Sequence, residues 1–420
     1  FSLSREYHTN AIPRFDLGKR VTPGLGMHLA CQSSTSPTPC YGPKQIQEAY
    51  NIDTLLARGI NGKGRTIVII DAAQSPTIRH DLHEFDEMFG LNDPVLKIFA
   101  PNGLPPFNTS QERNAGEISL DVEWAHAIAP RATIDLVLAP SLSFADLLSA
   151  IQFAVQHNLG SVISMSFGAS DTCTPPAILQ AEHQVFKEAT QKHITLLASA
   201  GDSGAAESLC SANGVVVAPG PGVEYPASDP LVTAVGGTAL FADTTTGKYI
   251  SETTWNDQTV PPLATGGGFS VIFQRPEYQE DVPGITQFRG LPDVAYNGDP
   301  NTGVIVVCSS CGFGPDFAAP FGGTSAGAPQ WAGIVALGDQ FAGRRLGFLN
   351  DAIYKIGESS KYASNFQDIT TGDNTVLVKI NGQLIQVNGF PAGAGWDAVT
   401  GWGTPDVDEL VQLLAKTVRT

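Results

Sequence analysis

Arg65-Thr66-Ile67-Val68-Ile69-Ile70-Asp71 is a run of β-branched apolar residues closed by an acid. No polar residue alternates within it, so neither face of a strand built from it seeks water. Such a run reads as a strand buried on both sides, the signature of a parallel sheet covered by helices. The same signature returns at 133–138, 161–166, 194–199 and 231–235. Helical periodicities lie between, at 78–89, 111–128, 143–157 and 177–192. Strand and helix in alternation predict βαβ units, and so an α/β fold with a doubly wound, mostly parallel β-sheet flanked by helices. In open sheets of this kind the site lies beyond the carboxyl ends of the strands. Asp71, Ser166 and Asp202 fall at or just after such ends.

The 420 residues are enough for a large core. Net charge is −17, from 24 basic and 41 acidic residues, which excludes a basic nucleic-acid surface. Charged residues make up only 15% of the chain. Few cations would be left to repel one another once the carboxylates protonate, which favours a protein that works in acid. No apolar run approaches a membrane span. The six cysteines, Cys31, Cys40, Cys173, Cys210, Cys308 and Cys311, form an even set with short spacings. Three disulfides are expected, paired locally as 31–40, 173–210 and 308–311, in an oxidising compartment. A start at Phe1 reads as a processed, secreted form. Residues 1–43, with scattered Pro, Gly and Ser, read as an N-terminal extension wrapped on the surface or a linker remnant. Organised structure is expected over 44–420, with a helix over 43–58 at its start.

Three stretches carry chemistry. Gly322-Gly323-Thr324-Ser325-Ala326-Gly327-Ala328-Pro329 is a glycine-tight turn handing over to a helix at about 326–341. A serine there is either a helix cap or a nucleophile whose neighbouring amides favour an oxyanion. Glu117 and Asp121 stand four apart on the 111–128 helix and therefore on one face. They are either a solvated pair or coupled carboxyls suited to acid–base work below neutrality. Ser199-Ala200-Gly201-Asp202-Ser203-Gly204 puts an acid at a strand exit. When protonated, Asp202 can donate to an oxyanion.

Taken together, Gly323-Thr324-Ser325-Ala326-x-x-Pro329, Glu117-x-x-x-Asp121 and the Asp202 stretch resemble the sedolisin family of serine-carboxyl peptidases, from about Tyr41 to the end. Gly266-Gly267-Gly268-Phe269-Ser270, Tyr225-Pro226-Ala227-Ser228 and Leu291-Pro292-Asp293-Val294 are similar to the family as well. The resemblance implies a subtilisin-like fold, with Ser325 as nucleophile, Glu117 as general base and acid, Asp121 orienting Glu117, and Asp202 in the oxyanion hole. It also implies one structural Ca2+ in loops within 365–400. The ligands would be the carboxylates of Asp368 and Asp397 and the carbonyls of Ile369, Gly393 and Gly395, an oxygen set that calcium accepts. Ser166 to Gly168 would line the cleft and pair with substrate as an added strand.

The expectation is a monomeric, secreted, acid-acting endopeptidase with protein and peptide substrates. Two alternatives stand beside it. One is a tripeptidyl exopeptidase of the same family. The other is a Ser-His-Asp triad of Ser325, His126 and Asp71, although His126 lacks the glycine-flanked setting that subtilisins use. The additional glutamate that some sedolisins carry near the first strand has no counterpart here, which leaves Asp71 as a strand-end carboxylate behind the site.

Overall fold

The β-branched run at 65–71 forms strand β1 (Thr66–Ala72), in the interior of an eight-stranded sheet. The computed structural model describes residues 6–20, 29–211 and 215–418. The other strands of the sheet are β2 (Leu96–Phe99), β3 (Thr133–Ala139), β4 (Val162–Met165), β5 (Thr195–Ser199), β6 (Thr233–Ala242), β7 (Tyr249–Thr254) and β8 (Val294–Asn297). Their order is β7-β6-β5-β4-β1-β3-β2, with β8 also paired to β6. Every pairing is parallel except the β6–β7 hairpin. From β1 the chain crosses to the edge strand β2, returns to fill β3 between them, and then builds β4, β5 and β6 on the other side. A crevice therefore opens at the carboxyl ends of β1 and β4, where the winding reverses.

Alternation along β1 explains why both faces had to be apolar. Val68 and Ile70 join one core with Val137, Ile163, Met165 and Leu196, under helices α3 (Phe144–Gln156) and α4 (Pro176–Gln191). Ile67 and Ile69 join the opposite core with Ile134, Leu136 and Leu197. That face is covered by α1 (Ile78–Phe89), α2 (Glu112–Ile128), α5 (Thr324–Ala342) and α6 (Val407–Thr417). Each fully buried aliphatic side chain stabilises the fold by about 1.5–3 kcal/mol, and Ile69→Ala would cost about 2–5 kcal/mol once the cavity is counted.

Helices α2 and α5 lie inside the molecule and pack closely. A methyl on Gly333 would come within 2.6 Å of the Ile128 Cβ, so only glycine lets the two axes approach. Helix α5 is entered through Gly323 (φ 98°) and left through Gly343 (φ 68°). Pro329 removes the N–H that would have bonded the Ser325 carbonyl.

The three disulfides form as the spacing suggested: Cys31–Cys40, Cys173–Cys210 and Cys308–Cys311. The helix expected over 43–58 is two short helices, Pro43–Ala49 and Asp53–Ala57, broken where Asn51 takes φ 58°. The surface wrap expected of the first residues does not hold for 7–11. Tyr7, Thr9, Asn10 and Ala11 are all buried. Their burial comes from strand pairing with distant parts of the chain.

Candidate active site

Strand Phe317–Gly322 runs into Gly323, and α5 begins at Thr324 with Ser325 in its first turn. The positive φ turns the chain sharply and sets the serine over the crevice. A side chain at Gly323 would run into Asp202 Oδ2 (2.6 Å) and the Asn10 carbonyl oxygen. The Ser325 hydroxyl donates to the Ser166 carbonyl at a long 3.4 Å, and it lies against the Glu117 carboxyl.

Glu117 and Asp121 project one turn apart from buried α2, toward the end of β1. Burial is the largest influence on Glu117 and pushes its pKa up to about 7. The Ser325 hydroxyl, the Ala11 amide, Arg113 and His8 oppose that rise. Asp121 is held well above the carboxylate range by burial, then by Asp71, then by Glu117. The Ser166 hydroxyl faces it and pulls the other way. Asp71 is likewise pushed up by burial and by Glu117. Three buried carboxyls thus share one region, and they cannot all be ionised at moderate pH. The third place beside Glu117 and Asp121, where the sequence offers no glutamate, is filled by Asp71.

Asp202 leaves β5 and turns back toward α5. Its Oδ1 accepts from the Thr324 amide (2.7 Å) and hydroxyl (2.8 Å). Its Oδ2 is buried with no bonding partner among the described residues, beside the position that a Gly323 side chain would occupy. Burial keeps this carboxyl protonated well above its ordinary range. A buried, protonated acid with an uncommitted oxygen can donate a hydrogen bond there. His126 is on α2 but turned away, with Nε2 3.0 Å from Asp86 Oδ1. Asp71 lies with Glu117 and Asp121, whereas His126 pairs with Asp86.

Residues 6–13 cross this crevice. The Tyr7 amide donates to the Leu142 carbonyl (2.9 Å), and His8 and Thr9 pair antiparallel with Gly168 and Phe167. The Ala11 amide donates to Glu117 Oε2 (2.8 Å), and Ile12 and Pro13 pair with Gly322 and Phe321. The Asn10 side chain donates to Ser199 Oγ and Glu224 Oε2, both at 3.0 Å. Glu224 is fully buried between Gly168 and Gly201, where a methyl on either glycine would strike its carboxyl. Sequence reasoning passed over Glu224, although it directly precedes the quoted Tyr225-Pro226 stretch. The one available signal was an acid in an otherwise apolar, proline-bounded segment.

The C-terminal loops bring Asp368 and the 393–397 turn together. The Gly395 amide donates to both Asp368 oxygens (3.2 and 3.1 Å), and the Gly393 amide donates to Asp397 Oδ2 (3.0 Å). Burial raises the Tyr362 hydroxyl well above its ordinary range, and Asp368 and then Asp397 add to that rise. With the carbonyls of Ile369, Gly393 and Gly395, which the resemblance implies as further ligands, the donors would all be hard oxygens, a chemistry that fits calcium. Elsewhere, His80, Glu84 and Asp316 bring three donor atoms within 4.8 Å of one another, but His80 and Asp316 are already paired at 2.7 Å.

The subtilase family model matches residues 111–344. Kumamolisin of Bacillus sp. (strain MN-32) is 34% identical over 414 residues, 96% of this chain and 68% of that protein. Sedolisin of Pseudomonas sp. (strain 101) is 30% identical over 424 residues, covering 94% and 67%. Tripeptidyl-peptidase 1 of Canis lupus familiaris is 30% identical over 372 residues, 80% of this chain but 58% of that longer protein. The solved structure of Pseudomonas sedolisin, a serine-carboxyl proteinase complexed with two molecules of pseudo-iodotyrostatin, superposes with a TM-score of 0.77 at 27% identity, covering 91% of this chain and all of that one. The chain belongs to the subtilase family and, within it, to the sedolisin family of serine-carboxyl peptidases.

Proposed function

We propose that this peptidase is a secreted, acid-acting endopeptidase that cuts proteins through Ser325, Glu117 and Asp121, with Asp202 in the oxyanion hole. The observation that carries the reading is the peptide unit between Asn10 and Ala11. Its nitrogen is bonded to Glu117, and its carbonyl oxygen crowds the same point as Asp202 Oδ2. Ser325 Oγ attacks a carbonyl carbon held there while its proton passes to Glu117. Asp202, protonated, donates to the oxygen that becomes negative. Glu117 then gives the proton to the departing nitrogen, and water releases the acyl group from Ser325 by the same steps reversed. Asp121 orients Glu117, and Asp71 lies behind the pair as a third buried carboxyl.

Endopeptidase action is favoured over removal of tripeptides by the length of the cleft. Glu6 and Tyr7 continue past His8 and are still bridged to Ser143 and Leu142, so the channel is open beyond three residues from the Asn10 carbonyl. Three disulfides support an oxidising, extracellular setting. Asp368, Asp397 and the carbonyls of Ile369, Gly393 and Gly395 would hold Ca2+, which when bound supplies charge neutralisation between two loops. The test is cleavage of a denatured protein and of an N-terminally blocked peptide across about pH 2–8, with Ser325→Ala alongside. The expected result is a maximum well below about pH 6, cleavage of the blocked peptide, and loss of both activities in the variant. A maximum at or above neutrality would sink the assignment. Refusal of the blocked peptide alone would move the enzyme to the tripeptidyl class.

A further inference from the structure

We infer that His80, Glu84 and Asp316 form a site for a divalent transition-metal ion of the Zn2+ class, which ties helix α1 to a loop that walls the cleft. The site shares no residue with the catalytic group or with the C-terminal loops, and it stands independently of the peptidase chemistry. His80 and Glu84 are four apart on α1, so they share one face a turn apart. Asp316 reaches that face from the loop between Cys311 and strand Phe317–Gly322. One nitrogen of His80 and one carboxylate oxygen from each acid all lie within 4.8 Å of one another. Ligands of a tetrahedral ion bound at about 2.0–2.1 Å sit about 3.3 Å apart. Closing on an ion therefore asks for side-chain movements of about 1.5 Å at most.

His80 Nε2 already meets Asp316 Oδ1 at 2.7 Å. That contact holds two ligands side by side, and an ion entering between them takes the place of the shared proton. A plain ion pair would account for these two groups but not for the third. Glu84 is 8% exposed, and its Oε2 is buried with no bonding partner among the described residues. A buried carboxylate oxygen without a donor is costly unless a cation meets it. Asp81, on the same helix, is buried as well and leaves its Oδ1 unpartnered, while its Oδ2 accepts from the Thr77 hydroxyl (2.6 Å) and the Ser309 amide (3.1 Å). Negative groups thus converge on a single imidazole.

The donor set names the class of ion. Calcium and magnesium seek oxygen alone, whereas zinc and cobalt accept imidazole nitrogen together with carboxylate oxygen. Three protein ligands leave the fourth tetrahedral position to water. The loop that supplies Asp316 is itself braced. The Asp316 amide donates to Ser309 Oγ (2.9 Å), Ser310 Oγ meets Thr77 Oγ1 (2.6 Å), and the Cys308–Cys311 disulfide closes the base. Cys311 and Phe313 of the same loop line a cavity of about 540 Å³ beside Ala11, Ile12 and Pro13. An ion at Asp316 therefore anchors one wall of the cleft to α1.

The test adds Zn2+, and Co2+ as its coloured substitute, to the 420-residue Ser325→Ala chain at about pH 7.5, where imidazole is free to bind metal. Excess Ca2+ is present throughout to keep Zn2+ from oxygen-only loops, and the inactive background removes proteolysis as a cause of change. The expected result is a single equivalent of Zn2+ in equilibrium dialysis, visible bands of four-coordinate Co2+, and a Tm that rises with added Zn2+. His80→Ala and Glu84→Gln should each weaken binding at least about 10-fold. Glu84→Gln keeps the size of the side chain, and circular dichroism without metal checks that its fold is kept. His83, which pairs with Asp93 (3.0 Å) from the same helix, is the internal control, and His83→Ala should leave binding unchanged. No saturable binding overturns the inference. So does binding that survives His80→Ala or Glu84→Gln, or that is lost with His83→Ala alone, since the ion then sits elsewhere.

Discussion

Asp171 offers a quantitative handle on how pH governs this fold. It is buried, and its Oδ2 accepts a 2.7 Å bond from the Ser270 hydroxyl. Burial outweighs that bond and the nearby amides and raises its pKa from 3.8 to about 6. The folded chain therefore keeps a proton that the unfolded chain gives up. Stability from this group is fully present below about pH 3.8 and is lost as pH rises through about 6. A rise of roughly two pH units is worth about 3 kcal/mol. Asp339, raised to about 6, and Glu117, raised to about 7, have the same sign. Together such groups rival a typical net stability of about 5–15 kcal/mol. Asp171→Asn keeps an acceptor for Ser270 but cannot ionise. Urea unfolding of the Ser325→Ala background at about pH 4 and about pH 7.5 should show a large loss of stability at the higher pH. Adding Asp171→Asn to that background should narrow the gap by about 3 kcal/mol. A gap unchanged by the substitution, or a chain more stable at the higher pH than at the lower, would refute the reasoning.

Three further outcomes follow from the same geometry. Asp202→Ala removes the buried donor and should lower kcat about 10²–10³-fold with little change in KM, read from steady-state kinetics. Gly323→Ala forces a side chain into Asp202 and the Asn10 carbonyl, so activity should fall by about 10³-fold or more while circular dichroism still reports a folded chain. Chelation should lower Tm by several degrees, equivalent to about 3 kcal/mol at a hundredfold excess of ion over Kd, and Asp368→Ala should abolish that response. A Tm indifferent to both chelator and Asp368→Ala would remove the calcium reading.

The parts legible in the sequence were those written in contiguous residues. The β1 run named its own strand, its two covered faces and the parallel sheet. The i, i+4 spacing of Glu117 and Asp121 named a shared helix face, and the glycines around Ser325 named a turn. What was illegible depended on chain segments meeting from afar. His8-Thr9-Asn10-Ala11 has no hydrophobic period, and its strand character comes wholly from Phe167 and Gly168, far along the chain. Glu224 takes its place under Asn10 because Gly168 and Gly201 leave room for its carboxyl, a condition spread over three separate segments. Asp71 could be placed at a strand end, but its influence on Asp121 required the neighbouring helix to be in position. The split of the 43–58 helix at Asn51 was a local event hidden by good helix formers on both sides.

Residues 12–20 dock on Phe317–Gly322 while the residues just before them occupy the crevice, and this has a kinetic consequence. A strand tethered to the site it occupies competes with outside peptides at an effective concentration in the millimolar range. Peptides supplied at micromolar levels would stay out until the tether lets go. Progress curves from freshly acidified protein should then begin with a lag whose length does not shorten with more enzyme.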